Sequence, residues 1–203
     1  MRGKTSISKA ILARDGNIAP SISVTTRAQR PGEVDGEDYH FVSRDAFQNL
    51  VRQGQLLECA EVFGNFYGTP RAPVDMALVD GRDLIFDIDW QGARQLTENA
   101  RDDLVTVFVL PPHASELERR LLNRAQDAAE TIQQRMGKAP AELSHYPEYD
   151  YVVVNHNLET SVEQVMAILR AERQRRQRFV GLAQFVRALQ EQVRTKYPGG
   201  ELQ

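Results

Sequence analysis

The sequence predicts an α/β fold: a core of parallel strands with covering helices, and a lobe inserted near its start. Three observations carry this. Leu84–Asp89 (LIFDID), Leu104–Leu110 (LVTVFVL) and Tyr151–Asn155 (YVVVN) are short, nearly continuous apolar runs, as in parallel strands covered on both faces. Stretches with helix-capping signals lie between them. The block at about 22–70 reads instead as antiparallel, an inserted lobe rather than an independent domain.

The elements follow in order. Ile7, Ile11 and Leu12 share one face of an opening helix, which Asp15-Gly16-Asn17 stops. Ile22–Thr26 alternates and is β-branched, so it reads as a strand. Arg27–Asp38 is a loop with Pro31, Gly32 and Gly36. Tyr39–Val42 is a short strand, and Ser43 starts a helix over Asp45–Gln53 that Gly54 closes. Leu56–Phe63 and Phe66–Thr69 form a hairpin around Gly64-Asn65. A helix over about Ala72–Val79 ends at Gly81. Ser115 with Glu118, and Thr160 with Glu163, match the capping box of a helix start. From Ala167 a long helix runs into ERQRRQRF.

The 203 residues suffice for one domain and a short appendage. Lys+Arg 25 against Asp+Glu 28 leaves a net charge of −3, with no global basic excess to attract nucleic acid or an anionic membrane. The single cysteine, Cys59, can make neither an internal disulfide nor a cysteine metal site. With no signal-peptide h-region and no long apolar run, the expectation is a cytoplasmic chain. The arginine-dense tail (Arg170, Arg173, Arg175, Arg176, Arg178) is interrupted by Glu172 and reads as a solvated helix face, not an RNA-binding motif. Phe179, Leu182, Phe185, Val186 and Leu189 suit packing on the chain's own core or on a homo-oligomer partner; the sequence does not choose between them.

Five groups of residues are candidates for chemistry. Gly3-Lys4-Thr5 is the last part of a phosphate-loop pattern: small residue, charge for β/γ oxygens, hydroxyl for Mg²⁺. Arg27 and Arg30, three apart on a Gly/Pro loop, can close around one phosphate. Glu58, with Tyr39, Tyr67 and Thr69, can read guanine, because a buried carboxylate accepts both N1–H and N2–H. Asp87 and Asp89 end an apolar strand, where α/β sheets bind ligands and acids can hold Mg²⁺. Arg119, Arg120 and Arg124 on one helix, with Arg135 on the next, can neutralise a transferring phosphoryl group. Each group alone has an ordinary structural explanation.

Together, and in this order, they resemble the guanylate kinases, which make GDP from GMP and ATP. The resemblance runs from about Gly3 to Leu169, and its most specific stretches are SVTTRAQRPGEVDGEDYHFV, ECAEVFGNFYGTP and DIDWQG. It implies a P-loop NTPase-type parallel core, a GMP-binding lobe at about 22–82, an arginine-bearing helical lid at about 119–145, and a helical tail over 172–203 beyond the kinase-like region at 1–171. It implies that Arg27, Arg30, Tyr39 and Tyr67 hold the GMP phosphate, while Ser23, Glu58 and Thr69 read guanine with Asp89 nearby in the GMP site. Asp87 would lie near both Mg²⁺ and the substrates, with Thr5 as the second metal-facing residue. Gly3, Lys4, Thr5 and Asn155 would serve ATP, and Lys4, Arg120, Arg124 and Arg135 the transfer itself.

The family opens on an apolar strand and a Gly-x-x-Gly that have no counterpart ahead of Gly3. The expectation is a native polypeptide that begins upstream of Met1. A catalytically impaired binding module is the alternative, favoured only by the short phosphate loop; the retained Lys4, arginines and acids favour the enzyme. A kinase of phosphorylated sugars is a further rival, against which Glu58, Ser23 and Thr69 argue for guanine.

Overall fold

A computed structural model describes residues 2–122 and 129–197. The chain forms two compact units, Met1–Val165 and Met166–Gln203. In the first, α1 (Arg2–Arg14) buries Ile7 and Ile11, as its apolar spacing predicts. β1 (Ile18–Pro20) follows, a strand the sequence reading passes over because it ends on a proline. It pairs in parallel with β6 (Asp83–Ile85). β7 (Val107–Leu110) pairs in parallel with β8 (Tyr151–Val154). The parallel core is thus present as two strand pairs among the described residues, and β6 and β7 are half-buried rather than covered on both faces.

The lobe is a four-stranded mixed sheet, ordered β3-β2-β5-β4. β2 (Val24–Thr25) and β3 (His40–Phe41) run parallel, while β4 (Leu56–Val62) and β5 (Asn65–Pro70) form the antiparallel hairpin. Val62 pairs with Asn65, so the two-residue turn is Phe63-Gly64, one position earlier than Gly64-Asn65. Both turn residues have positive φ, 50° and 76°, which matches the right-handed twist of a hairpin. Gly68 lies so close to β4 that a Cβ there would meet the Glu58 carbonyl at 3.0 Å. α2 (Arg44–Arg52) is capped by Ser43, whose hydroxyl accepts from Ala46 N–H at 3.1 Å. α3 (Arg71–Val79) leads back to the core.

α4 (Trp90–Ala100) packs on β4 and buries Gly92, Ala93 and Leu96. α5 (Ala114–Leu122) and α6 (Ala129–Leu143) follow β7. α7 (Leu158–Arg173) begins in the first unit, where Val162 and Ser161 are buried and Arg14 of α1 pairs with Glu159 and Glu163. Residues other than the expected Ser115 and Thr160 supply the caps. The His113 ring accepts from Glu116 N–H, and the Asn157 side chain accepts from Thr160 N–H at 3.1 Å. These residues stand before the first helical turn and can reach its free N–H groups; Ser115 and Thr160 lie inside it.

In the second unit α7 ends at Arg173, and one short turn (Arg176–Arg178) and α8 (Leu182–Lys196) complete the tail. The ERQRRQRF stretch is therefore not one continuous helix. Buried Glu172 accepts from Arg175 and Arg178, each at 3.3 Å, and folds the basic run back on itself. Among the described residues no helix is long and apolar enough to cross a membrane.

Candidate functional site

The lobe sheet positions one buried acid. Glu58 and Thr69 face each other across β4 and β5, and both are nearly inaccessible, at 4% and 0% exposure. Thr69 Oγ1 donates to Glu58 Oε1 at 2.7 Å. Burial pushes the Glu58 carboxyl up to about 6, with Asp89 adding like-charge repulsion and Thr69 opposing both. A carboxylate held dry, with one oxygen fastened, is a selective acceptor for two N–H donors of a planar base.

A cationic cradle lies on the same sheet. The hydroxyl of fully buried Thr25 accepts from Arg27 N–H at 3.2 Å, which fixes where the loop leaves β2. The Arg27 guanidinium lies over the Tyr39 and Phe41 rings, 5.3 and 5.7 Å from their centroids. Glu33 accepts from Arg27 and also from Arg30 N–H at 2.8 Å, so one carboxylate organises both arginine positions. Tyr39 and Tyr67 pack edge to face at 6.0 Å. Burial, with Asp87 and Tyr67 nearby, raises the Tyr39 hydroxyl above its ordinary range. Ser23 precedes β2, and its carbonyl accepts from His40 N–H at 2.9 Å.

A third cluster sits where the chain leaves β6. Lys4 Nζ donates to Ile88 O at 2.5 Å and lies 3.5 Å from the Asp87 carboxylate. Thr5 Oγ1 donates to Asp87 Oδ2 at 2.5 Å. The first turn of α1, which also contains Gly3, thus faces the acidic end of the 84–89 run. Thr5 and Asp87 present hard oxygens side by side, the donor type that Mg²⁺ takes along with substrate phosphates. Asp89 caps α4, accepting from Gly92 N–H at 3.0 Å.

Arg120 is fastened on two sides: Nε donates to Glu116 at 2.7 Å and Nη2 to the Asn155 carbonyl at 3.0 Å. Two arginines hold Glu116 down to about 2. The Asn155 side chain is buried and accepts from Ser161 Oγ at 3.2 Å. Arg124 lies outside the described residues. Arg135 belongs to α6, and its side chain lies outside the described part. Among the described residues no three acidic, His or Cys side chains converge as a metal cluster.

The structure therefore brings Glu58, Thr69 and Asp89 together, Arg27 with Tyr39 and Tyr67, and Lys4 with Thr5 and Asp87. Sequence reasoning misses Glu33, Glu116, Gly92 and Gln95. Glu33 had a usable signal, an acid six residues after Arg27 and three after Arg30 on a turning loop. Gln95 had none, since its partner Cys59 is 36 positions away.

Three comparisons bear on this arrangement. The family model described as guanylate kinase matches residues 1–172. A guanylate kinase of Paramagnetospirillum magneticum is 60% identical over 187 residues, covering 92% of this chain and 87% of that one. One of Rhodospirillum rubrum is 56% identical over 184 residues, covering 91% and 84%. The crystal structure of guanylate kinase from Anaplasma phagocytophilum superposes with a TM-score of 0.78 at 38% identity, covering 97% of this chain and 93% of that one. With its acid-and-threonine pocket, arginine cradle and α/β core, the chain belongs to the guanylate kinase family.

Proposed function

We propose that the chain transfers the γ-phosphoryl group of ATP to GMP, and to dGMP, yielding GDP or dGDP and ADP, in cytoplasmic purine nucleotide metabolism. The observation that carries this reading is the buried Glu58–Thr69 pair beside Asp89. Adenine has no adjacent donor pair for such a carboxylate, so AMP would leave it buried and unpaired.

The residues divide the task by chemistry. Glu58, Thr69, Ser23 and Asp89 hold guanine. Arg27 and Arg30, with the Tyr39 and Tyr67 hydroxyls, hold the GMP phosphate and turn one oxygen toward the donor. Lys4, with Gly3 and Thr5 at the start of α1, faces the ATP phosphates, and Asn155 lies on the ATP side. Arg120, Arg124 and Arg135 approach the transferring group and offset charge on its equatorial oxygens. Thr5 and Asp87 would hold Mg²⁺, which would supply positive charge against the donor phosphates. No covalent enzyme intermediate is needed, because positioning and electrostatics carry this transfer. The lobe at about 22–82 and the lid at about 119–145 would close over both nucleotides and exclude water, which otherwise hydrolyses ATP.

A coupled assay of ADP release tests the proposal. ATP with GMP should turn over, ATP with AMP should not, and ATP alone should show only slow hydrolysis. Equal release with and without GMP would refute it.

A further inference from the structure

β4 is the outer strand of the lobe sheet, so among the described residues one side of its backbone has no neighbouring strand. At Cys59 a side chain takes that place. The Gln95 amide of α4 accepts from Cys59 N–H at 3.0 Å and donates to Cys59 C=O at 2.7 Å. A carboxamide carries a donor and an acceptor in one plane, as a peptide does, so Gln95 stands in for a strand residue.

The same helix also receives Glu58. Asp89 caps α4, Gly92 follows three positions later, and Gln95 three further on. A Cβ at position 92 would lie 2.5 Å from Glu58 Oε2, so the carboxylate occupies the space a side chain there would fill. Asp89 belongs to the core and Glu58 to the lobe. The clamp at Cys59 attaches to the residue next to Glu58 and belongs to the helix that Asp89 begins.

We propose that Gln95 is a positioning residue for base selection: its clamp on the Cys59 backbone sets where the Glu58 carboxylate stands relative to Asp89, and thereby the preference for a 2-aminopurine. The inference rests on the guanine-reading role proposed for Glu58. Two parallel hydrogen bonds, to N1–H and N2–H, tolerate less displacement than one, because hydrogen bonds weaken steeply off axis. GMP offers both donors and IMP only N1–H. Releasing the clamp should therefore penalise GMP more than IMP.

The test compares kcat/KM for GMP and IMP in the full chain. Gln95→Met keeps the length and removes both polar atoms; Gln95→Asn keeps the amide and falls one methylene short. Each should lower the GMP-to-IMP ratio about tenfold, the order of one lost hydrogen bond, chiefly through KM for GMP and with KM for ATP unchanged. Gly92→Ala leaves the clamp intact and displaces Glu58 directly, so it should lower the ratio as well; an unchanged ratio in this variant would overturn the link between Glu58 position and base selection, and with it the proposal, whether or not the Gln95 variants fold. An unchanged ratio, or equal losses for both substrates, would overturn the proposal and leave Gln95 a packing residue. A parent enzyme that uses GMP and IMP equally would instead overturn the guanine reading itself, before any variant is made.

Discussion

Arg27 and Glu33 form an ion pair in the lobe: Nη2 of Arg27 lies 2.8 Å from one carboxylate oxygen of Glu33 and 3.0 Å from the other. Nη1 is taken by the Ala28 carbonyl at 2.6 Å, and the guanidinium plane lies over Tyr39. Lysine can supply the charge but not this set of directions. Arg27→Lys should raise KM for GMP about tenfold, the scale of one charge-assisted hydrogen bond. KM for ATP should hold, and steady-state kinetics with each substrate varied in turn would check both.

Glu58 trades stability for binding. Its ordinary value of 4.5 is raised to about 6 by burial, so the folded chain binds that proton more tightly than the unfolded chain. The stability this proton contributes is complete below pH 4.5 and is lost as pH rises through 6. The loss amounts to about 2 kcal/mol. Glu58→Gln should therefore raise the melting temperature at pH 8, change it little at pH 4.5, and abolish measurable GMP binding. Calorimetric melts at the two pH values, with GMP titrations alongside, would test it.

The same group gives a pH dependence of binding. GMP needs the carboxylate, so its affinity should level off well above pH 6 and fall as the pH drops through 6. The phosphate of GMP titrates nearby. Comparison with guanosine, which lacks the phosphate, isolates the Glu58 contribution. A guanosine affinity that is level from pH 7 to pH 5 would contradict the assignment.

Glu116 holds Arg119 and Arg120, each at 2.7 Å, and Arg120 in turn reaches the Asn155 carbonyl. Neutralising the acid frees a guanidinium that the proposed transfer requires in place. Glu116→Gln should lower kcat about tenfold, one lost hydrogen bond at the transferring group. KM for GMP should hold, as single-turnover and steady-state rates would show.

Trp90, the single tryptophan, stacks on His145 at a centroid distance of 3.7 Å and an interplanar angle of 9°. The stack ties the start of α4 to the segment after α6. His145→Ala should red-shift Trp90 emission by opening the indole to water, and GMP should then change the emission less than in the parent chain.

How much was legible depends on the range of each interaction. The Ile7/Ile11 face, the Ser43 cap and the hairpin follow from neighbours a few positions apart, and their signals survive in sequence. The turn shifted by one position because Phe63 adopts a positive φ, a conformation its type does not advertise. The caps went to His113 and Asn157, not to Ser115 and Thr160, because a cap belongs to whichever side chain reaches the free N–H groups. Glu58, Arg27 and Lys4 each have an ordinary structural explanation alone, and read as chemistry only through the joint resemblance. The Gln95–Cys59 clamp was not: a glutamine on an amphipathic helix reads as a solvated face until α4 is laid on β4.

The central claim is that a pocket around Glu58 and the Arg27/Arg30 pair captures a guanine mononucleotide. Isothermal titration of the folded chain with GMP, and separately with AMP, tests it most directly. GMP should give saturable heat at one site and AMP none at the same concentrations; no heat from GMP, or equal heat from both nucleotides, would rule the pocket out.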